Sequence, residues 1–471
     1  MIDAYQEFLA RKRITDPMTG IDDVEAMPMF FKPHQSDITT WALRRGRAAI
    51  FAGTGLGKTL MELEWARQVV KATGKPVLSL APLAVSNQHI REGDRFGIQA
   101  TIVRSQSDVR DGTSVTNYQK LPHFDISEFG GVCLDESSIL KNVDGHYRTR
   151  LIQECAQIPF RLAATATPAP NDFMELGNHA EFLGVMSYTD MLATFFTHDG
   201  GETQKWRLKG HAEDAFWKWM ASWSVLLRKP SDLGYDDSGY DLPPLREIQH
   251  TVGVEYRPNV ETGLLFPMEA QGLGERIKAR RGSINERVRM AIELTPKDRP
   301  FVWWCNLNDE SASITSGIPG AVEVRGSDDD DDKERKLVEF SEQRIRVLVT
   351  KPSICGHGMN WQHCADTGFV GASDSFEQTY QAIRRFWRFG QTKPVNVNFI
   401  AAETEGAVVA NYRRKEADAE RMAAALVMHM ADLSSVAVRG LARDRPDYFP
   451  MEPMIVPSWL ENTDTALLPV R

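Results

Sequence analysis

The chain is poor in cysteine and pairs none of what it has. Cys133, Cys155, Cys305, Cys355 and Cys364 form no Cys-x-x-Cys unit, which excludes a disulfide scaffold and predicts reduced thiols in a cytoplasmic protein. No apolar run approaches the roughly 20 residues that a helix needs to cross a bilayer, so no membrane partner is expected. There is no N-terminal signal pattern and no internal repeat of fixed period. Positive charge is not in excess, the net formal charge being −9. That speaks against a surface coated in nucleic acid but leaves room for a local basic groove, because binding depends on where charge sits. Three stretches are candidates: Arg44, Arg45 and Arg47; Arg276, Lys278, Arg280, Arg281, Arg287 and Arg289; and Arg384, Arg385, Arg388 and Lys393. Taken alone, each reads better as a solvated helix face. What remains, 42% hydrophobic and 25% charged residues over 471 positions, is the make-up of a globular chain of two or three domains.

The most informative stretch is AGTGLGKT at 52–59. An apolar run, Ala48-Ala49-Ile50-Phe51, precedes it, and a helical pattern with Leu60, Leu63, Ala66, Val69 and Val70 on one stripe follows. Strand, glycine-rich loop and helix is the context of a phosphate-binding loop. Gly53, Gly55 and Gly57 let backbone N–H groups point inward, Thr54 lies within the curl, and the helix adds its positive dipole end. Lys58 can reach the β- and γ-phosphates and the Thr59 hydroxyl can bind Mg²⁺. The first position is Ala52 rather than glycine.

Three further segments fit the same chemistry. VCLDESSILKN (132–142) delivers Asp135 and Glu136 from the end of an apolar strand, one to hold Mg²⁺ and the other to orient or deprotonate water. RLAATATPAPN (161–171) ends a strand in Thr165 and Thr167, whose hydroxyls can bond the acidic segment and a neighbouring domain. QAIRRFWRFGQ (381–391) sets Arg385 and Arg388 three residues apart, on one face if helical, a spacing suited to a γ-phosphate in transfer. Upstream, Gln35 offers an amide to an adenine edge, with Phe30 and Phe31 nearby.

Apolar runs alternate with helical patterns twice, predicting two α/β units with parallel sheets. Strands are expected at 48–51, 77–81, 132–134 and 161–165, and again at 301–305, 345–350, 368–371 and 395–400. A mostly helical, Trp-rich insertion is expected at about 175–230, a linker at 233–244 and a long helix after 405. The run Asp328–Asp332 is read as the acidic start of a helix over 333–342.

In order and spacing these motifs resemble the superfamily-two helicase-like ATPases, and among them the Swi/Snf family of double-stranded DNA translocases. FKPHQ (31–35) resembles that family's adenine motif, AGTGLGKT its motif I, LSLAPLAVSNQ (78–88) motif Ia, VTNYQKL (115–121) the motif after it, DESSILKN the acidic box and TATPAPN motif III. LLRKPSDLGYDDSGYDLPP (226–244), CGHGMNWQ (355–362) and QAIRRFWRFGQ resemble the segments that follow, the last two being motifs V and VI. The resemblance covers about 30–405. It implies two RecA-like lobes, at 1–240 and 241–405, with a helical segment and tail at 406–471. It implies ATP and Mg²⁺ in the cleft, bound by Gln35, Gly53, Thr54, Gly55, Gly57, Lys58, Thr59 and Gly358, with Thr59 and Asp135 on the metal. Lys58, Asp135, Glu136, Arg385 and Arg388 would be catalytic, and Pro82, Asn117, Lys351, Asn360 and Trp361 would touch duplex DNA.

The match departs from the family's pattern at Ser137 and Ser138, where a small residue and a histidine are usual. It also departs at VTKPSICGHG (349–358) and at Arg384, where a glycine often stands. Cys355, His357, His363 and Cys364 do not have the spacing of a zinc ribbon or finger and fall within motif V and the turn after it. Three functions stay open at this level: a duplex translocase, a strand-separating DNA or RNA helicase, and an ATP-gated module that binds nucleic acid, or a protein partner through the C-terminal segment.

Overall fold

The computed structural model describes residues 20–141, 145–169, 172–198, 206–253, 282–355, 359–371 and 375–439. Two parallel sheets dominate. The first contains β1 (Arg47–Ala52), β2 (Val77–Ala81), β3 (Ala100–Ile102), β4 (Thr113–Asn117), β5 (Gly131–Asp135), β6 (Phe160–Thr165) and, after the antiparallel pair β7 (Phe196–His198) and β8 (Trp206–Leu208), β9 (Ser224–Leu227). Its order is β3-β4-β2-β5-β6-β1-β9. The second contains β10 (Leu245–Val252), β11 (Phe301–Cys305), β12 (Ala321–Glu323), β13 (Val347–Thr350), β14 (Asp366–Val370) and β15 (Val395–Ala402), in the order β10-β15-β14-β11-β13-β12. Both are RecA-like α/β sheets, as expected. The central strands are buried along their whole length, β2, β5 and β11 at every residue. Helices cover both faces of such sheets, and unbroken apolar runs rather than alternation are the result.

The eight strands expected from apolar runs all form. β3, β4, β7, β8, β9, β10 and β12 were not anticipated. The Trp-rich region is no simple helical insertion. It holds the helices Leu176–Leu183, Tyr188–Phe195 and Glu213–Trp223, then β9, which pairs with β1 and completes the first sheet. Trp217, Trp219 and Trp223 join that lobe's core. The acidic run starts its helix earlier than expected, at Asp330–Ser341, with Asp329 as N-cap accepting from Asp332 N–H.

The chain passes between the lobes through 234–244 and then enters β10. Tyr235 donates its hydroxyl to Asp37 at 2.6 Å, and Tyr240 packs edge-on against both His34 and Phe389. After β15 the helix Gly406–Arg439 returns to the first lobe. Leu426 and Met430 enter that lobe's core, His429 stacks on Trp217 at 5.0 Å, and Arg228 pairs with Glu420 at 3.0 Å. The segment braces the lobes.

Candidate active site

Parallel strands end on the same edge of a sheet, and ligands of open α/β folds sit along that edge. Here β1, β6 and β5 are neighbours. Their ends carry the glycine loop, Thr165 and the Asp135-Glu136 pair, so three segments far apart in sequence arrive side by side.

Within the loop, Gly55 and Gly57 have φ of +90° and +85°, a region closed to most side chains. Packing makes a second demand. A Cβ on Gly57 would lie 2.3 Å from Gln35 Nε2, and one on Gly55 would lie 3.0 Å from the Phe389 backbone nitrogen. Gly53 donates its N–H to the Leu227 carbonyl at 2.9 Å, so β9 holds the first turn of the loop. Thr54 and Thr59 are partly exposed beside it. Lys58 Nζ donates to the carbonyls of Ala52 at 2.8 Å and Gly53 at 3.4 Å. Burial lowers its pKa, while the Glu136, Asp135 and Glu62 carboxylates favour the charged form.

Gln35 packs directly against the glycine loop. Its Nε2 donates to the Leu56 carbonyl and its Oε1 accepts the Lys32 N–H, both at 3.0 Å. Gln35 thus props the glycine loop, with one amide hydrogen and one oxygen lone pair committed to backbone groups. Phe30 stacks on Phe96, at 4.9 Å between ring centroids.

Asp135 is buried, and Glu136 has a φ of +56°, one of two positive values among described non-glycine residues. A non-glycine side chain held there is strained, and such strain concentrates at functional sites. Thr165 Oγ1 donates to Glu136 Oε2 at 3.3 Å, the Thr167 N–H donates to Thr165 Oγ1 at 3.1 Å, and Gln381 Nε2 of the second lobe donates to Thr167 Oγ1 at 3.3 Å. The threonines thus link the acidic pair to the other lobe. At the Ser137-Ser138 departure an imidazole comes from elsewhere: His179 Nε2 lies 3.1 Å from Ser137 Oγ.

Behind Asp135 lies a residue that the motifs did not reveal. His89, fully buried, places Nε2 3.2 Å from Glu62 Oε2 and 3.7 Å from Asp135 Oδ2. Burial and the Glu62 carboxylate raise the Asp135 pKa to about 8, against the pull of His89. Burial alone would lower His89, but the Glu62 hydrogen bond and the two carboxylates carry it up to about 9.

From the second lobe, Arg385 is buried and bonds the Gln381 carbonyl at 3.1 Å, Gln381 Oε1 at 3.3 Å and the Met359 carbonyl at 3.4 Å. Burial lowers it to about 10, with Glu136 and Asp135 opposing and Arg388 reinforcing the shift. Arg388 is lowered by burial and held up by Glu92 and Glu136. Its Nε is buried with no hydrogen-bond partner among the described residues. Lys58, Asp135, Glu136, Arg385 and Arg388 therefore share one electrostatic field across the lobe boundary. Arg384 does not join them, its guanidinium lying 4.4 Å from the Trp387 ring centroid.

The expected nucleic-acid contacts divide. Asn117 lines a cavity of about 350 Å³ between the lobes, Pro82 caps the helix Leu83–Phe96, Lys351 is partly exposed after β13, and Asn360 is exposed. Trp361 is fully buried in the second lobe's core and donates Nε1–H to Ser341 Oγ, so its side chain is withdrawn from any such contact. Arg287 is likewise no surface cation: it is fully buried with Glu310 and Glu405. Gly358, His357 and the stretch from Arg276 to Arg281 lie outside the described residues. Cys355 and Cys364 are buried free thiols, and among the described residues the one cluster able to hold a metal is Glu62, His89 and Asp135.

The cavity walls differ in sign. The first lobe contributes Arg91, Arg104 and Lys120, and the second contributes Asp329, Asp330, Asp331 and Glu334 with a single cation, Lys333. Arg104 pairs with Asp331 at 3.3 Å, and Asn87 bonds Glu334.

For ATP and Mg²⁺ the residues present fit. The loop is a cradle that a Cβ at Gly55 or Gly57 would fill, and the Thr59 hydroxyl and Asp135 carboxylate are the hard oxygen donors that Mg²⁺ takes.

Fold and site together define a two-lobed P-loop α/β protein whose basic groups come from both lobes. No family model and no curated protein matches the chain. Among solved structures it is similar to the Sulfolobus solfataricus SWI2/SNF2 ATPase core in complex with dsDNA, at 15% identity and a TM-score of 0.41, over 90% of this chain and 99% of that one. No described helix is long and apolar enough to cross a membrane.

Proposed function

We propose that the chain hydrolyses ATP at the lobe interface and uses the cycle to move along duplex DNA. The observation that carries this reading is the composite site, in which Lys58, Asp135 and Glu136 share a field with Arg385 and Arg388 while the Gly55 turn abuts the backbone at Phe389.

Thr59 and Asp135 would hold the Mg²⁺ that comes with ATP, whose chemistry is to neutralise phosphate charge. Lys58 would leave the Ala52 and Gly53 carbonyls for the β- and γ-phosphates. Glu136, oriented by Thr165, takes a proton from the attacking water as the new P–O bond forms and the β–γ bridge breaks. Arg385 and Arg388 stabilise the charge that spreads over the γ-phosphoryl oxygens, the role of an arginine finger supplied from the other lobe. Because Gln381 ties Thr167 to the same helix end as Arg385, loss of the γ-phosphate changes what holds the lobes together.

The duplex reading rests on the family resemblance of the motifs. The test is ATP turnover against duplex DNA, single-stranded DNA and RNA side by side. Duplex should stimulate most, and stronger stimulation by single strands or RNA would sink the reading.

A further inference from the structure

We propose that Phe389 is a positioning residue, the point at which the second lobe seats on the glycine loop, and that it sets how far Arg385 and Arg388 reach toward the phosphates. Tyr240, in the segment that joins the lobes, backs it from the other side. This deepens the nucleotide-site reading and rests on it.

Phe389 follows Arg388 directly, yet its ring leaves its own lobe. It packs against the first lobe's core, beside Tyr235 and Tyr240. A Cβ on Gly55 would lie 3.0 Å from the Phe389 nitrogen, 3.1 Å from its Cβ and 3.3 Å from its Cδ2, so main chain and ring both rest on the turn of the loop. Tyr240 closes the opposite side edge-on, with ring centroids 5.2 Å apart, and itself meets His34 edge-on at 5.4 Å. His34 precedes Gln35, which holds the Leu56 carbonyl. The loop is thus gripped at Leu56 by its own lobe and at Gly55 by the other. The turn that carries Phe389 is tied down within the second lobe. Gln362 Nε2 donates to the Phe389 carbonyl at 2.5 Å, and the Gln391 N–H donates to the Arg388 carbonyl at 3.0 Å. Gln391 Nε2 donates to the carbonyls of Gln362, Cys364 and Phe386 at 3.0, 3.3 and 3.2 Å. Gly390 has a φ of +96°, and a Cβ there would lie 2.9 Å from Gln362 Nε2. Trp387 Nε1–H donates to the Pro243 carbonyl at 2.7 Å, which fastens the connecting segment to the same turn. These bonds leave the turn little freedom of its own, so where Phe389 seats, Arg388 and Arg385 follow. Arginines stabilise a transferring phosphoryl group only when they are in place, and a misplacement of about 1 Å in such a site costs roughly 10²-fold in rate.

The test measures kcat and KM for ATP, with and without duplex DNA, and the binding of a fluorescent ADP analogue. The variants are Phe389→Ala, Phe389→Leu, Tyr240→Ala, Tyr240→Phe and the double variant Phe389→Ala/Tyr240→Ala. Phe389→Ala should bind the analogue within about twofold of wild type while kcat falls roughly 10²-fold. Phe389→Leu, which refills most of the gap, should recover most of that loss, and Tyr240→Phe, which keeps the ring, should match wild type. Tyr240→Ala should lower kcat roughly tenfold with binding unchanged. Because Tyr240 acts through the Phe389 ring, the double variant should fall no lower than Phe389→Ala alone. The ring belongs to neither core cluster of the second lobe, so its truncation should leave each lobe folded. Where Phe389→Ala does not fold, the two Tyr240 variants make the same comparison. Wild-type kcat in folded Phe389→Ala overturns the inference. So does a loss confined to KM or to ADP binding, which would make the ring one of the nucleotide's own contacts. Tighter ADP binding overturns it too, because the ring would then occupy the nucleotide's place. A double variant that loses the product of the two single effects overturns the role of Tyr240. If wild type itself neither binds the ADP analogue nor hydrolyses ATP, the nucleotide-site reading has failed first.

Discussion

At the level of single residues, the site divides into groups that face the cleft and groups that hold them. Lys58 belongs to the first kind, its Nζ held at the glycine loop by the Ala52 and Gly53 carbonyls. Lys58→Ala should therefore abolish ATP turnover. Glu136→Gln keeps the hydrogen bond from Thr165 while losing the base, so it should bind ATP and fail to hydrolyse it. Arg388→Ala should bind normally and turn over about 10³-fold more slowly by the arginine-finger precedent, and wild-type turnover would refute its role. A pH effect belongs to this scale as well. Burial lowers His179 from an ordinary 6.5 to about 4. Above pH 6.5 the ring is neutral in both folded and unfolded chains. As pH falls from 6.5 to 4 only the unfolded chain takes up the proton, so stability is lost across that window, by about 3 kcal/mol in total. Denaturant titrations at pH 7 and pH 5 should show this loss, and His179→Gln should flatten it.

At the level of elements, the apolar runs were legible because central parallel strands are buried on both faces. β11 reads as Phe-Val-Trp-Trp-Cys, apolar throughout and buried at every residue. β4 and β10 escaped notice because Thr-Ser-Val-Thr-Asn and Leu-Arg-Glu-Ile-Gln-His-Thr-Val carry polar residues where an apolar run would have marked a strand. β9 was hidden by the Trp-rich helix that runs directly into it. The glycine loop, the acidic pair and the two arginines could be read because each needs particular residue types in sequence. Glu62 and His89 could not, since they meet through three separate elements. Arg287 looked like part of a basic stretch and proved to be the centre of a buried ion cluster. Replacing it with methionine would leave Glu310 and Glu405 buried without their cation, a loss of about 3–5 kcal/mol. Chemical unfolding of the second lobe should report that cost. The brace makes a comparable demand: Leu426→Ala should cost about 2–5 kcal/mol, as truncations in a packed core do.

At the level of the whole molecule, the cavity between the lobes sets Arg91, Arg104 and Lys120 against an acidic helix start. A polyanion entering there would compete with Asp331 for Arg104 and meet the like charge of Asp329 and Glu334. Neutralising these three as Asp329→Asn, Asp331→Asn and Glu334→Gln should tighten duplex binding, most visibly at low salt, where each counterion released from the phosphates gains the most free energy. Binding measured across a salt series would check both the sign and the slope, and unchanged affinity would place the duplex elsewhere.

The helix Gly406–Arg439 has a mechanical consequence. The chain crosses between the lobes once at 234–244 and again along this helix, whose Arg413 pairs with Glu247 on the second lobe and whose Glu420 pairs with Arg228 on the first. A plate tied at one point can swivel in any direction. A plate tied at two turns mainly about the line that joins them. Lobe motion that kept these two ties in place would be a rotation about one axis.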